Sequence, residues 1–96
     1  MNHKALCNAF AAQHPARGRA SSLYYDGPVA FSYGEHFPLA VITGPKAATV
    51  NASKYSSTTS RHQSTMRHAL TQAGYTLTDA NTDAMVQLRI KAGRNV

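Results

Sequence analysis

Residues 55–74 read YSSTTSRHQSTMRHALTQAG, a run of hydroxyls leading into a helical pattern. Met66, Ala69, Leu70 and Ala73 recur at the spacing of one helix face, so this face packs against something. Ser60 is the expected N-cap, its hydroxyl accepting a free first-turn amide. Gln63, three residues on, is placed to reach back and complete a capping box. Gly74 suits the left-handed residue that ends a helix, and Tyr75 follows where a hydrophobic closing contact is common. The stretch therefore predicts one main helix over 60–73, with the rest of the chain arranged to receive its apolar face.

Upstream, LYYDGPVAFSY (residues 23–33) holds two runs rich in aromatic and β-branched residues, separated by Asp26-Gly27, a short-range hairpin signal. Pro28 must sit where no ladder amide is needed. Residues 34–38, GEHFP, break the strand, and PLAVIT (38–43) is an apolar run expected to be a strand buried on both faces. Gly44-Pro45 turns the chain into a return strand over 47–51. At the N-terminus, residues 2–13 are alanine-rich and helical in pattern, with Asn2 as cap, Leu6 and Phe10 on the docking face, and Pro15 marking the end. Residues 14–22, HPARGRASS, read as a linker. Residues 82–92 suit a strand by alternation. They suit a helix by their ends, with Asp83 in the first turn, cations late and Gly93 as the stop, and the end signals decide for helix. The sum is a single α+β domain over 1–96: a small antiparallel sheet of three to four strands against one main helix, with short terminal helices. Its parts are an N-terminal helix (1–13), the linker (14–22), a core region (23–75) and a C-terminal segment (76–96).

Ninety-six residues suffice for one modest core. Ten Lys or Arg against four Asp or Glu give a formal charge of +6, which favours polyanionic partners over acidic or neutral ones. The cations are scattered, so any basic patch must be assembled by folding. The single cysteine, Cys7, rules out a disulfide within the chain and a multi-cysteine zinc site, and fits a reducing cytoplasm. No apolar run approaches the roughly 20 residues that cross a bilayer, so a membrane partner is not expected.

The pieces SYGEHFPLA (32–40) and NASKYSSTTSRHQSTMRHAL (51–70) together resemble a family of short, uncharacterised proteins of bacteriophages and other mobile elements. Its members are similar in carrying an SYG-x-HFP turn and a YS-x-TTS-x-HQ helix start. The resemblance covers about half the chain and implies a mobile-element origin. Small proteins of that origin include anti-CRISPR inhibitors of host defence.

The residues that bear on chemistry are few. His36 and His62 lack the companions of a metal site, since HExxH and CxxC are absent, and their expected role is structural: to knit turn to helix by hydrogen bonds. The hydroxyl-rich helix start, flanked by Lys54 and Arg61, is a natural anion site because free amides and the helix dipole both favour negative charge. Lys46, Lys54, Tyr55, Arg61 and Arg67 are thus the expected contacts to a nucleic acid or host nucleoprotein, with no cofactor and no metal. His36, Ser60, His62 and Gln63 are expected to be turn and cap residues. An alternative is a metal-independent nuclease using Tyr33, His36 and Arg61, drawn from a candidate cluster of Tyr33, His36, Tyr55 and Arg61 that no spacing forces together. Another is a structural or oligomerisation module, a homodimer included, whose charge serves solubility alone.

Overall fold

The computed structural model describes residues 2–94. Its elements run α1 (His3–Ala12), β1 (Arg17–Ala20), β2 (Leu23–Asp26), β3 (Val29–Ser32), β4 (Pro38–Gly44), β5 (Ala47–Asn51), α2 (Ser57–Gln72), β6 (Thr76–Ala80) and α3 (Thr82–Arg94). The fold is α+β, with three helices and a six-stranded mixed sheet in the order β1-β2-β3-β4-β5-β6. β1 to β5 form an antiparallel meander, and α2 then carries the chain across so that β6 lies parallel to β5.

Two strands correct the three-to-four-strand expectation. Residues 17–20, expected within a linker, pair with β2 as edge strand β1. RGRA has no hydrophobic alternation to announce it; the pairing comes from its neighbour. Residues 76–80 form β6, which makes the sheet mixed rather than antiparallel. The final helix spans 13 residues and runs through Gly93 instead of stopping there, so it is not short. Residues 95–96 of the C-terminal segment lie outside the described residues.

The turns are also placed differently. Asp26 pairs with Val29, so Gly27 and Pro28 occupy the turn's centre. Gly27 has φ +59, the first-position geometry of a tight hairpin turn that only glycine adopts without cost. The β4–β5 hairpin closes at Pro45-Lys46, with Lys46 at φ 59.

α1 and α2 lie on one face of the sheet and α3 on the other. On the first face, Leu6, Cys7, Phe10 and Ala11 of α1 and Met66, Ala69 and Leu70 of α2 join Leu23, Tyr25, Leu39 and Val50 of the strands. Ala30 and Ala40 sit opposite one another there, and Ala48, opposite Ile42, lies two residues along β5 from Ala40's partner Val50. A register shift beside Phe31, which pairs with Pro38, sends Leu39 as well as Ala40 into this core. On the second face, Val29, Phe31 and Val41 receive Met85 and Leu88 of α3. Arg19, Tyr24 and Phe31 form a cross-strand row here: the Arg19 guanidinium lies 4.4 Å over the Tyr24 ring, Tyr24 stacks on Phe31 at 5.1 Å, and Arg89 of α3 covers Phe31 at 5.5 Å.

The ends of the helices are closed as their residues allow. Asn2 Oδ1 accepts the Ala5 amide at 2.7 Å, as expected. At the end of α2, Gly74 has φ +90, its amide donates to Thr71 O, and the Tyr75 amide donates to Leu70 O. These are the paired bonds of a Schellman closure. Lys46 Nζ adds a donor to Ala73 O at 2.8 Å, and the Tyr75 hydroxyl reaches Ala11 O at 2.7 Å, tying α1 to this corner. Burial pushes the Cys7 thiol up to about 12, so it is a core side chain and not a nucleophile.

Phe10 is wholly buried, against Tyr25 at 5.3 Å. We expect Phe10→Ala to cost about 3–5 kcal/mol, read as a lower urea midpoint at unchanged slope. A loss below about 1 kcal/mol would mean that α1 is not docked as described.

Candidate nucleic-acid interface at the start of α2

The helix begins three residues earlier than its sequence suggests. Ser56, not Ser60, is the N-cap: its Oγ accepts the Thr59 amide at 3.1 Å, and Ser60 is an exposed residue of the first turn whose amide donates to Ser56 O. Five consecutive hydroxyl residues offered several caps, and the choice went to the one that turns Thr59 inward. The amides of Ser57 and Thr58 find no partner among the described residues. Gln63 does not close a capping box either. Its Nε2 donates to Asn51 O at 2.8 Å and Ser53 O at 2.9 Å, clamping the first turns of α2 to the end of β5.

Beneath this start lies a buried polar chain. Ser56 donates its hydroxyl proton to Thr59 Oγ1, Thr59 Oγ1 lies 3.1 Å from Ser32 Oγ, and Ser32 Oγ lies 2.8 Å from His62 Nδ1. Ser32, Thr59 and His62 are fully buried. Since Thr59 Oγ1 already accepts from Ser56, its own proton goes to Ser32, and that of Ser32 to His62. The network assigns a neutral imidazole protonated on Nε2. That nitrogen is buried without a hydrogen-bond partner among the described residues, and the His3 ring stands edge-on to the imidazole, centroids 4.6 Å apart. Burial, and then the charge of His3, push the His62 pKa down. His62 is thus held by a hydroxyl chain that runs from the α2 cap through Thr59 to Ser32 of β3.

Above the chain is an exposed aromatic patch. Tyr33 and Tyr55 are 47% and 55% exposed, the largest exposures among the big apolar residues, and their rings lie 6.2 Å apart. His36 Nε2 is 3.3 Å from the Tyr55 hydroxyl, and Phe37, buried, supports the Tyr55 ring at 5.2 Å. Gly34 makes this possible, because a Cβ there would stand 3.0 Å from His36 Nδ1. Tyr33 has φ 70, a left-handed backbone that costs a bulky residue on the order of 1 kcal/mol. The two motif pieces, 32–40 and 51–70, therefore meet in space.

The five expected contact residues do not all meet. Lys54 and Tyr55 precede the cap and Arg61 follows it by just over a turn, and all three are exposed. Lys46 sits at the opposite end of α2, engaged with Ala73 O and over the Tyr75 ring at 5.0 Å. Arg67 is about 9 Å further along the helix than Arg61 and is paired with Asp79 of β6 at 2.7 Å. Sequence reasoning placed Lys46 in a turn but could not say which end of the helix that turn met. Tyr33, His36 and Tyr55, grouped with Arg61 by residue type alone, do come together, although nothing in their spacing requires it.

Among the described residues no three His, Cys, Asp or Glu side chains converge as a metal site, and no helix is long and apolar enough to cross a membrane. No family model, curated protein or solved structure matches the chain.

His62 supplies a pH test. Its pKa is depressed in the fold, so the unfolded chain binds the proton more readily. Stability is complete above about 6.5, the ordinary histidine value, and is lost as pH falls below it. We expect the urea midpoint to drop between pH 7 and pH 5, and His62→Gln to flatten that drop while lowering the midpoint at pH 7. An unchanged pH slope in the variant would remove the assignment.

Proposed function

We propose that this is a small basic binding protein of a mobile element that engages a nucleic acid or a host nucleoprotein, in the manner of an anti-CRISPR inhibitor of host defence. The observation that supports it most is the company kept by the start of α2. Two amides without a partner among the described residues and the exposed Lys54, Tyr55 and Arg61 all fall within residues 54–61, and the exposed Tyr33 ring lies 6.2 Å from that of Tyr55. Amides and cations suit phosphate oxygens; flat exposed rings suit unstacked bases. The net charge of +6 draws such a ligand in from a distance. The mobile-element origin rests on the resemblance of residues 32–40 and 51–70 to phage proteins, and a cytoplasmic site of action in the host cell follows from the same reading. Lys46 and Arg67 are spent on intramolecular partners, so the proposed surface narrows to Lys54, Tyr55, Arg61 and Tyr33.

A second reading, a metal-independent nuclease, draws on one contact: His36 Nε2 beside the Tyr55 hydroxyl at 3.3 Å, with Tyr33 alongside. An imidazole and a phenol are the acid–base pair such a reaction needs. Labelled RNA and DNA incubated with the protein in excess chelator would decide it. Cleavage that His36→Ala abolishes supports an enzyme; intact substrate excludes it.

For the binding reading, affinity for a labelled oligonucleotide or for the host complex should fall steeply with salt. Lys54→Ala with Arg61→Ala should weaken it by about 10-fold to 100-fold and lower the salt slope by about two. Both residues are exposed, so the fold should be untouched. Binding that ignores the double substitution would place the interface elsewhere.

A further inference from the structure

The two edges of the sheet carry free backbone groups, and they are guarded very differently. On β6, the Thr76 amide donates to Lys46 O and the Ala80 carbonyl accepts from the Ala52 amide, both at 2.8 Å. Peptide groups alternate sides along a strand, so Thr76, Thr78 and Ala80 face β5. The N–H and C=O of Leu77 and of Asp79 therefore point outward from the sheet. On β1, the Ala16 carbonyl accepts the Gly27 amide, so the outward-facing residues there are Arg17 and Arg19.

The composition of the edges differs in the same sense. A second β1 laid against the first would bring four arginines together, and repulsion closes that edge to self-pairing. Of the usual devices that blunt an edge, the β6 sequence TLTDA carries one charge, Asp79, which is matched by Arg67; it has no lysine, arginine, proline or glycine and no bulge in its pairing with β5. Asp79 and Asp83, two of the four carboxylates in the chain, lie at this edge or just past it. The edge is thus a place where two copies of a +6 chain repel one another least.

We propose that β6 joins two copies of this chain as a symmetric homodimer, pairing antiparallel about a twofold axis at Thr78. In that register Leu77 faces Asp79 of the second copy, and Asp79 faces its Leu77. Each pair exchanges two N–H···O bonds, so all the outward groups of both strands are satisfied, and no other antiparallel register does this for residues 77 and 79 together. Thr78, which is exposed, stands directly opposite its own counterpart as a threonine pair on the α3 side of the sheet. Two six-stranded sheets become one continuous sheet. The Arg67–Asp79 pair lies beside the joint, which gives Arg67 a task independent of nucleic-acid binding.

The test uses the full chain across about a hundredfold range of concentration. Sedimentation or light scattering should show monomer giving way to dimer. Amide exchange at Leu77 and Asp79 should slow by about tenfold or more at the high end, whereas Thr78, already bonded to β5, should not respond. Thr78→Lys should be monomeric with an unchanged far-UV spectrum, because two ammonium groups would face each other across the axis. Thr78→Asp should be monomeric as well, and an equimolar mixture of the two should recover the dimer. A chain that stays monomeric throughout overturns the proposal, as does a dimer that survives Thr78→Lys. So does a dimer whose Leu77 and Asp79 amides exchange no more slowly than in the monomer.

Discussion

The packing of α1 and α2 into one core on a single face of the sheet is the constraint on which the remaining structure depends. Ala30, Ala40 and Ala48 of β3, β4 and β5 share one core with Met66, Ala69 and Leu70 of α2. A larger residue at Ala30, Ala40 or Ala48 would overpack this core, which commonly costs about 1–3 kcal/mol. With α2 seated, its C-terminal closure at Gly74 delivers the chain to the edge of β5, where β6 can only run parallel to it. α1 then has a trough between α2 and the first strands, and Leu6 and Phe10 fill it.

The same seating places the functional candidates. Gln63 ties the first turns of α2 to Asn51 and Ser53, and the hydroxyl chain from Ser56 to His62 ties them to β3. The outer side of the first turn is left exposed and the inner side is filled by Thr59, so free amides and flanking cations face outward from a rigid base. Tyr33 is held in a left-handed conformation by the turn that follows β3, with its amide bonded to Ser22 O at 2.7 Å. Strained backbone that presents an aromatic ring to solvent is the sort of feature that accumulates at binding surfaces.

Charge is shared out unevenly over this frame. Of the cations, Arg17, Arg67 and Arg89 are matched by Asp26, Asp79 and Glu35, and Lys46 caps a helix. The surface cations with no carboxylate partner among the described residues include Lys54 and Arg61, at the α2 start. The ion pairs of Arg17 and Arg89 are largely exposed and contribute little stability. Their arginines do more by lying along aromatic rings or strand edges than by the pairs themselves.

How much was legible in advance follows from where each signal resides. The α2 stop, the buried face Met66–Leu70, the Asn2 cap, the strand over 47–51 and the choice of helix for residues 82–92 were all local. Each rests on side-chain periodicity or on one residue's backbone preference, which a sequence carries whole. The true cap of α2 was not local, because five hydroxyl residues can each cap a helix and only burial of Thr59 against Ser32 selects Ser56. β1 and β6 were not local either: RGRA and TLTDA have weak strand character and become strands because β2 and β5 offer them free backbone groups. Likewise the sequence supplied the residue types of the candidate site, two tyrosines, histidines and scattered cations. Only the folded chain decided which of them met, since residues 33 and 55 are brought together by a turn, a hairpin and a helix start that no spacing rule connects. Composition determined that the protein is small and basic. Tertiary packing decided which cations were engaged within the fold and which were left exposed, because pairing depends on neighbours that only folding brings together.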